Sequence, residues 1–283
     1  SEALGRHGIK TAQVLLTPDD TENRRRFLNA RGTLQRLLDH DVVPVINEND
    51  TVATEEIRYG DNDRLAARVA QLVMADGLLL LSDVDGFYTA DPGKSGNAEH
   101  IPEVRVITSE MKQMAGETRS DIGSGGMATK VQAALIATRA GCSTIIANGK
   151  VERPLQALAD GARHTVFHAT ATPAAARKQW LAGSLNVSGS LKIDNGAEVA
   201  LRAGKSLLPV GVTAVNGAFQ RGDIVTIVGE SGTELGRGLA EYGSDDASKL
   251  LGCRSGEIGE RLGYCGRSVM LHRDEMVVFD QHE

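Results

Sequence analysis

Val42-Val43-Pro44-Val45-Ile46 runs directly into Asn47-Glu48-Asn49-Asp50, and a second polar cluster, Gly60-Asp61-Asn62-Asp63, opens the helical pattern that follows. A strand-like apolar run ending in polar side chains, then a Gly-led cluster at a helix start, is how open α/β sheets place ligand sites at strand ends. Working outward, residues 1 to about 168 alternate short apolar runs with helical patterns, which predicts βαβ units and a mainly parallel sheet. The expected strands are Thr11 to Leu16, Val42 to Ile46, Leu78 to Leu81 and Thr144 to Ala147, and the expected helices are Asn23 to Asp39, Asp63 to Val73 and Thr129 to Arg139. In the second helix Leu65, Ala66, Val69, Ala70, Leu72 and Val73 share one face, and Asp61 or Asp63 can cap its start.

An amphipathic stretch, Pro173 to Leu181, carries Trp180 and leads into a linker-like Ala182-Gly183-Ser184. Beyond it the texture changes to short β-prone runs separated by Gly turns, among them Leu207 to Val210, Val212 to Val215 and Ile224 to Val228. Two domains are therefore expected, 1–182 and 183–283, which suits a chain of 283 residues.

Composition narrows the function classes. Thirty-one basic against 37 acidic residues, a net charge of -6, exclude a broad electrostatic surface for nucleic acid or anionic lipid. The three cysteines, Cys142, Cys253 and Cys265, are odd in number and match no metal-ligand spacing, as expected of reduced thiols in a cytoplasm. No apolar run reaches the roughly 18 to 20 residues of a membrane span. The seven histidines include no pair at metal-ligand spacing, so His164, His168 and His272 are read as packing or hydrogen-bonding residues, and Arg24-Arg25-Arg26 as a solvated helix face.

Asp121-Ile122-Gly123-Ser124-Gly125-Gly126-Met127-Ala128-Thr129-Lys130 has the make-up of a phosphate cradle. Glycines let backbone N–H groups approach phosphate oxygens, a helix starting near Thr129 adds its positive end, and Lys130 can reach the same oxygens. Read alone, the segment is also compatible with a surface loop before an ordinary helix. Leu78 to Leu81, followed by Ser82-Asp83-Val84-Asp85-Gly86-Phe87-Tyr88-Thr89-Ala90-Asp91-Pro92, reads as a buried strand with a polar carboxyl edge, or as a strand before a common Asp-Gly turn.

These motifs resemble those of the bacterial glutamate 5-kinases, members of the amino-acid kinase family. Asn47 to Asp50 and Gly60 to Asp63 look like that family's acceptor segments, and Ser124 to Lys130 its Gly-Thr-Gly-Gly-Met-Ser-Thr-Lys-like loop with small-residue swaps at Ser124 and Ala128. Gly189 to Ala197, Ser206 to Val212, Phe219 to Asp223 and His272 to Asp274 resemble a PUA domain, a β-barrel module, and the order kinase then PUA is similar to the same family. Residues 183–283 hold 10 basic and 14 acidic residues, so RNA binding by the PUA-like part is not expected.

What the resemblance implies is ATP- and Mg²⁺-dependent phosphorylation of the side-chain carboxylate of L-glutamate, with proline as feedback inhibitor near Thr51 to Tyr59 and a homo-oligomeric assembly. Carried over by residue, Asp50, Asn47 and Asn62 bind glutamate, the carboxylate meeting its ammonium and the amides the rest. Ser82, Asp83 and Ser124, Gly125, Gly126, Met127, Ala128, Thr129 and Lys130 bind the nucleotide, Lys130 stabilises the transferring group, and Asp63 orients the phosphate-binding lysines. The same site chemistry leaves two other readings: a kinase of this fold acting on aspartate, N-acetylglutamate or UMP, or a non-catalytic RNA-binding or regulatory protein. The family's initial strand, its Lys-Leu-Gly-Thr-like loop and its Ser-Gly-Ala-like turn have no counterpart here, so the chain is expected to be the remainder of a longer protein.

Overall fold

The computed structural model describes residues 2–49, 62–116, 126–184 and 186–279. Two compact units divide the chain, Ser1–Ala176 and Arg177–Glu283.

In the first unit a short helix α1 (Glu2–Gly5) precedes β1 (Lys10–Leu16), followed by α2 (Pro18–Glu22), α3 (Arg24–Asp39) and β2 (Val42–Glu48). Strands β1 and β2 pair in parallel, with Lys10 opposite Val42 and Leu16 opposite Glu48. Pro44 lies within β2, opposite Ala12 in this two-stranded ladder. Next come α4 (Asn62–Val73), β3 (Gly77–Ser82), β4 (Phe87–Tyr88), β5 (His100–Ile101), β6 (Glu103–Val104), α5 (Ser109–Met114), α6 (Met127–Arg139), β7 (Ser143–Asn148), α7 (Pro154–Ala159) and β8 (His164–Phe167). Strands β3, β7, β8 and β6 form one sheet in that order, and β4 and β5 a separate hairpin.

Two features depart from the sequence expectation. The parallel pair β1–β2 is a sheet of its own, and β8, absent from the expected strands, runs antiparallel to β7. The chain passes through the six-residue helix α7 and turns back beside β7, with Ala147 opposite His164 and Thr144 opposite Phe167.

Helix α4 packs on α6 through small residues: Ala67 and Ala70 from one, Ala133, Ala134 and Ala137 from the other, all buried. Phe87 and Phe167 fill the same core, and Leu16, Leu34, Leu65 and Leu72 make a second cluster under α3. Cys142 is buried in the first of these cores, and burial pushes its thiol up to about 11.

Helix α8 (Pro173–Ala182) spans the division between the units. In the second unit β9 (Gly189–Ile193) leads to α9 (Asn195–Arg202), a helix the sequence reading passed over as part of a turn-rich run. Its cap is local: Asp194 accepts from the Ala197 amide at 2.7 Å, satisfying a first-turn donor. Strands β10 (Val212–Gly217), β11 (Ile224–Val228), β12 (Glu234–Leu239) and β13 (Met276–Val278) complete a five-stranded sheet ordered β10-β9-β11-β12-β13. The pair β9–β11 is parallel and the rest antiparallel, around a core of Leu191, Ile193, Val225, Ile227 and Leu235.

Candidate active site

Asp63 lies in the first turn of α4, and Lys130 in the first turn of α6. Because the two helices touch along alanine faces, their heads come close enough for the side chains to meet. Lys130 Nζ donates to Asp63 Oδ2 at 3.0 Å, with side-chain exposures of 10% and 18%. Thr129 adds a brace, its hydroxyl donating to the Gly126 carbonyl at 2.7 Å with Asp63 Oδ2 3.1 Å away. An ammonium has three donors and, among the described residues, Asp63 takes one, leaving two for an anion.

A cleft of about 300 Å³ opens beside the pair. Asp83, Val84, Gly86 and Tyr88 form one part of its lining, and Gly126, Met127 and Lys130 another. Ala90, Asp91, Pro92, Met114 and Ala115 close the rest. Gly126 is the N-cap of α6 and makes no side-chain cap bond, and as a lining residue it brings the positive end of the helix to the cleft.

Asp83 follows the carboxyl end of β3, a parallel-paired strand, as expected of α/β ligand sites. The Ser82 hydroxyl donates to Asp83 Oδ1 at 3.1 Å; that bond first, then the Asp83 backbone amide and the Lys150 cation, hold its exposed carboxyl below the usual carboxylate range. Lys150, which sequence reading did not single out, is placed there by register. Asn148 is opposite Ser82, and the Gly149 amide donates to the Ser82 carbonyl at 2.7 Å.

The residues expected to bind acceptor are partly described. Asn47 ends the exposed side of β2, its amide oxygen accepting from Glu48 N–H at 2.9 Å, and Asn62 begins α4. Neither is among the described residues lining the cleft. Asp50, Asp61, Ser124, Gly125 and the Thr51 to Tyr59 loop lie outside the described residues. Ser82, Ala128 and Thr129 stand beside the cleft lining rather than in it. Sequence reading missed Tyr88, Asp91, Met114 and Ala115 as lining. The Gly86-Phe87-Tyr88 run offered an aromatic after a turn as a signal; Met114 and Ala115 offered none, since tertiary packing alone brings α5 there.

A lysine–carboxylate pair at two helix heads, beside a cleft along the carboxyl edge of a parallel strand pair, is the outline of a phosphotransferase site. Residues 1–148 match the family described as "Amino acid kinase family", and residues 189–262 match the PUA domain. Over 278 residues the chain is 57% identical to the "Glutamate 5-kinase" of Rhodopseudomonas palustris, an alignment covering 98% of this chain and 74% of that one. "Glutamate 5-kinase 1" of Rhizobium meliloti is 56% identical, with 98% of this chain and 71% of the relative covered. The chain belongs to the glutamate 5-kinase family of amino acid kinases. No helix among the described residues is long and apolar enough to cross a membrane.

Proposed function

We propose that the protein transfers the γ-phosphoryl group of ATP to the side-chain carboxylate of L-glutamate, giving L-glutamyl 5-phosphate and ADP, the first step of proline biosynthesis. The observation that carries this reading is Lys130, held 3.0 Å from Asp63 at the head of α6 with donors to spare beside the cleft.

In the reaction a carboxylate oxygen of glutamate bonds to the γ-phosphorus as the bond to the β,γ-bridging oxygen breaks, and ADP leaves with that electron pair. The acceptor is already ionised at neutral pH, so no general base is needed and catalysis rests on alignment and charge. Lys130 meets the charge on the transferred group, and Asp63, as a positioning residue, fixes the ammonium. Gly126 to Thr129, with Ser124 and Gly125, cradle the phosphates, Ser82 and Asp83 hold the nucleotide, and Asn47, Asp50 and Asn62 hold glutamate.

Magnesium bound with the nucleotide would supply further neutralisation of the phosphates. Asp83 and Asp91 are the acidic side chains on the described lining that would meet it. We further assign residues 1–182 to the kinase domain and 183–283 to the PUA-like domain, proline inhibition to the acceptor side, a homo-oligomeric state and a cytoplasmic location; the acidic balance of the PUA-like part disfavours RNA as its partner.

Hydroxylamine trapping in the full-length protein tests the function. Hydroxamate is expected with ATP, Mg²⁺ and glutamate, and not with aspartate or N-acetylglutamate. Product with one of those acceptors alone would move the assignment within the fold, and product with none would overturn it.

A further inference from the structure

One wall of the cleft is held from behind by residues that do not line it. Gly86 and Tyr88, on the wall, flank Phe87, whose N–H donates to Thr165 Oγ1 at 2.7 Å. Thr165 lies on β8, 78 residues away in sequence, and is fully buried. Its own proton goes to the Ile101 carbonyl at 2.6 Å, and His100 Nε2 is 3.4 Å from the same oxygen. One hydroxyl thus ties β4 to β5 and to the main sheet, where the hairpin itself has just two residue pairs.

The approach is close. Gly86 has φ +156°, and a Cβ there would fall 2.5 Å from His100 Nε2 and 2.8 Å from Thr165 Oγ1, so the backbone rests on these two side chains. Tyr88 is placed by the same group: its ring meets His100 edge-on at 5.2 Å, its hydroxyl donates to Asp85 Oδ1 at 2.7 Å, and Arg163 Nη1 donates to it at 3.2 Å.

We propose that Thr165 is a positioning residue for nucleotide binding, its buried hydroxyl fixing the Gly86–Tyr88 wall, with Arg163 as a secondary brace on Tyr88. The inference rests on the reading of the cleft as the nucleotide site. Thr165→Val keeps the bulk of the side chain but leaves the Phe87 N–H without an acceptor in a buried setting, and the strand end carrying Gly86 and Tyr88 relaxes away from it.

The test compares wild type, Thr165→Val, Thr165→Ser and Arg163→Gln by calorimetric titration with ADP and by separate KM values for ATP and glutamate. Thr165→Val should weaken ADP and raise the ATP KM about tenfold, the order of one lost buried hydrogen bond, with the glutamate KM unchanged. Thr165→Ser should restore both. Arg163→Gln, an exposed side chain whose loss leaves the core intact, should shift ADP affinity the same way by about threefold. Wild-type affinity for ADP in both Thr165→Val and Arg163→Gln, or equal rises in both KM values, would overturn the proposal. Should Thr165→Val not fold, the Arg163→Gln result decides alone. Absence of ADP binding by the wild type would instead sink the nucleotide reading itself.

Discussion

Lys130 with Asp63 in one unit and Arg177 with Glu275 in the other are ion pairs of similar burial, side-chain exposures being 10% and 18% in the first and 10% and 5% in the second. They differ in how much of the cation is committed. Arg177 turns its guanidinium fork onto Glu275 Oε2, through Nε at 2.8 Å and also through Nη2, and lies over the Trp180 ring at 5.7 Å. Lys130 gives one proton to Asp63 and faces a cleft with the rest. The guanidinium suits a fixed bidentate clasp, whereas the ammonium is a compact charge that can serve a partner and a ligand together. The contrast separates a pair built for cohesion from one built for use.

Removing either partner should break that contrast in opposite ways. Glu275→Ala removes the buried carboxylate that Arg177 clasps and should lower the stability of the second unit by about 3 kcal/mol, read in urea by the fluorescence of Trp180, the single tryptophan, while kcat per folded molecule stays at the wild-type level. Lys130→Met should act chiefly on activity, reducing kcat per folded molecule about 10²- to 10³-fold, the range for one preorganised charge-stabilising donor, with a smaller loss of stability than Glu275→Ala because Asp63 is the more exposed carboxylate and keeps the Thr129 hydroxyl. A small kcat loss with a large stability loss would make it a second Arg177. Asp63→Asn sharpens the comparison, since the amide can still accept from Lys130 but no longer as an anion; a fall in kcat of about ten- to a hundred-fold is expected from steady-state rates.

The smallest effect concerns pH. Burial first, and Arg163 next, hold His100 below its ordinary pKa of 6.5, against the opposing pull of Asp85, with His164 also nearby. The unfolded chain therefore takes up that proton before the folded one does. Above 6.5 neither form is charged and no penalty exists; as pH falls below 6.5 the first unit should lose stability, and His100→Asn should flatten the slope. Melting curves between pH 7.5 and 5.5 read this directly, and an unchanged slope in the variant would remove His100 as the cause.

The regions also differ in how far sequence betrays them. Strands β1, β2, β3 and β7 and helices α3, α4 and α6 each advertise themselves by an apolar run or a helical face of their own. Strand β8, four residues with half-buried His164 and Val166 alternating with buried Thr165 and Phe167, does not, and its direction is set by tertiary pairing with β7. Helix α9 hides behind Asn195-Gly196, residues that serve turns as readily as first helical turns, so the Asp194 cap is recognisable only once the helix is seen. In the candidate site, Lys130 and Asp63 come from separate motifs 67 residues apart, and nothing local joins them; the alanine faces of α4 and α6 do. The wall carried by Tyr88 and backed by Thr165 is tertiary throughout, which is why the sequence names its edge at Asp83 and not its support.

Those alanines set a gauge. Ala67, Ala133, Ala134 and Ala137 are wholly buried in the core that α4 and α6 share, and an alanine has no side-chain rotamer with which to take up slack. A residue one or two carbons larger, far from the cleft, would lever the helix heads apart and draw the ammonium away from its carboxylate. The working distance of the site is thus calibrated by side chains that carry no chemistry at all.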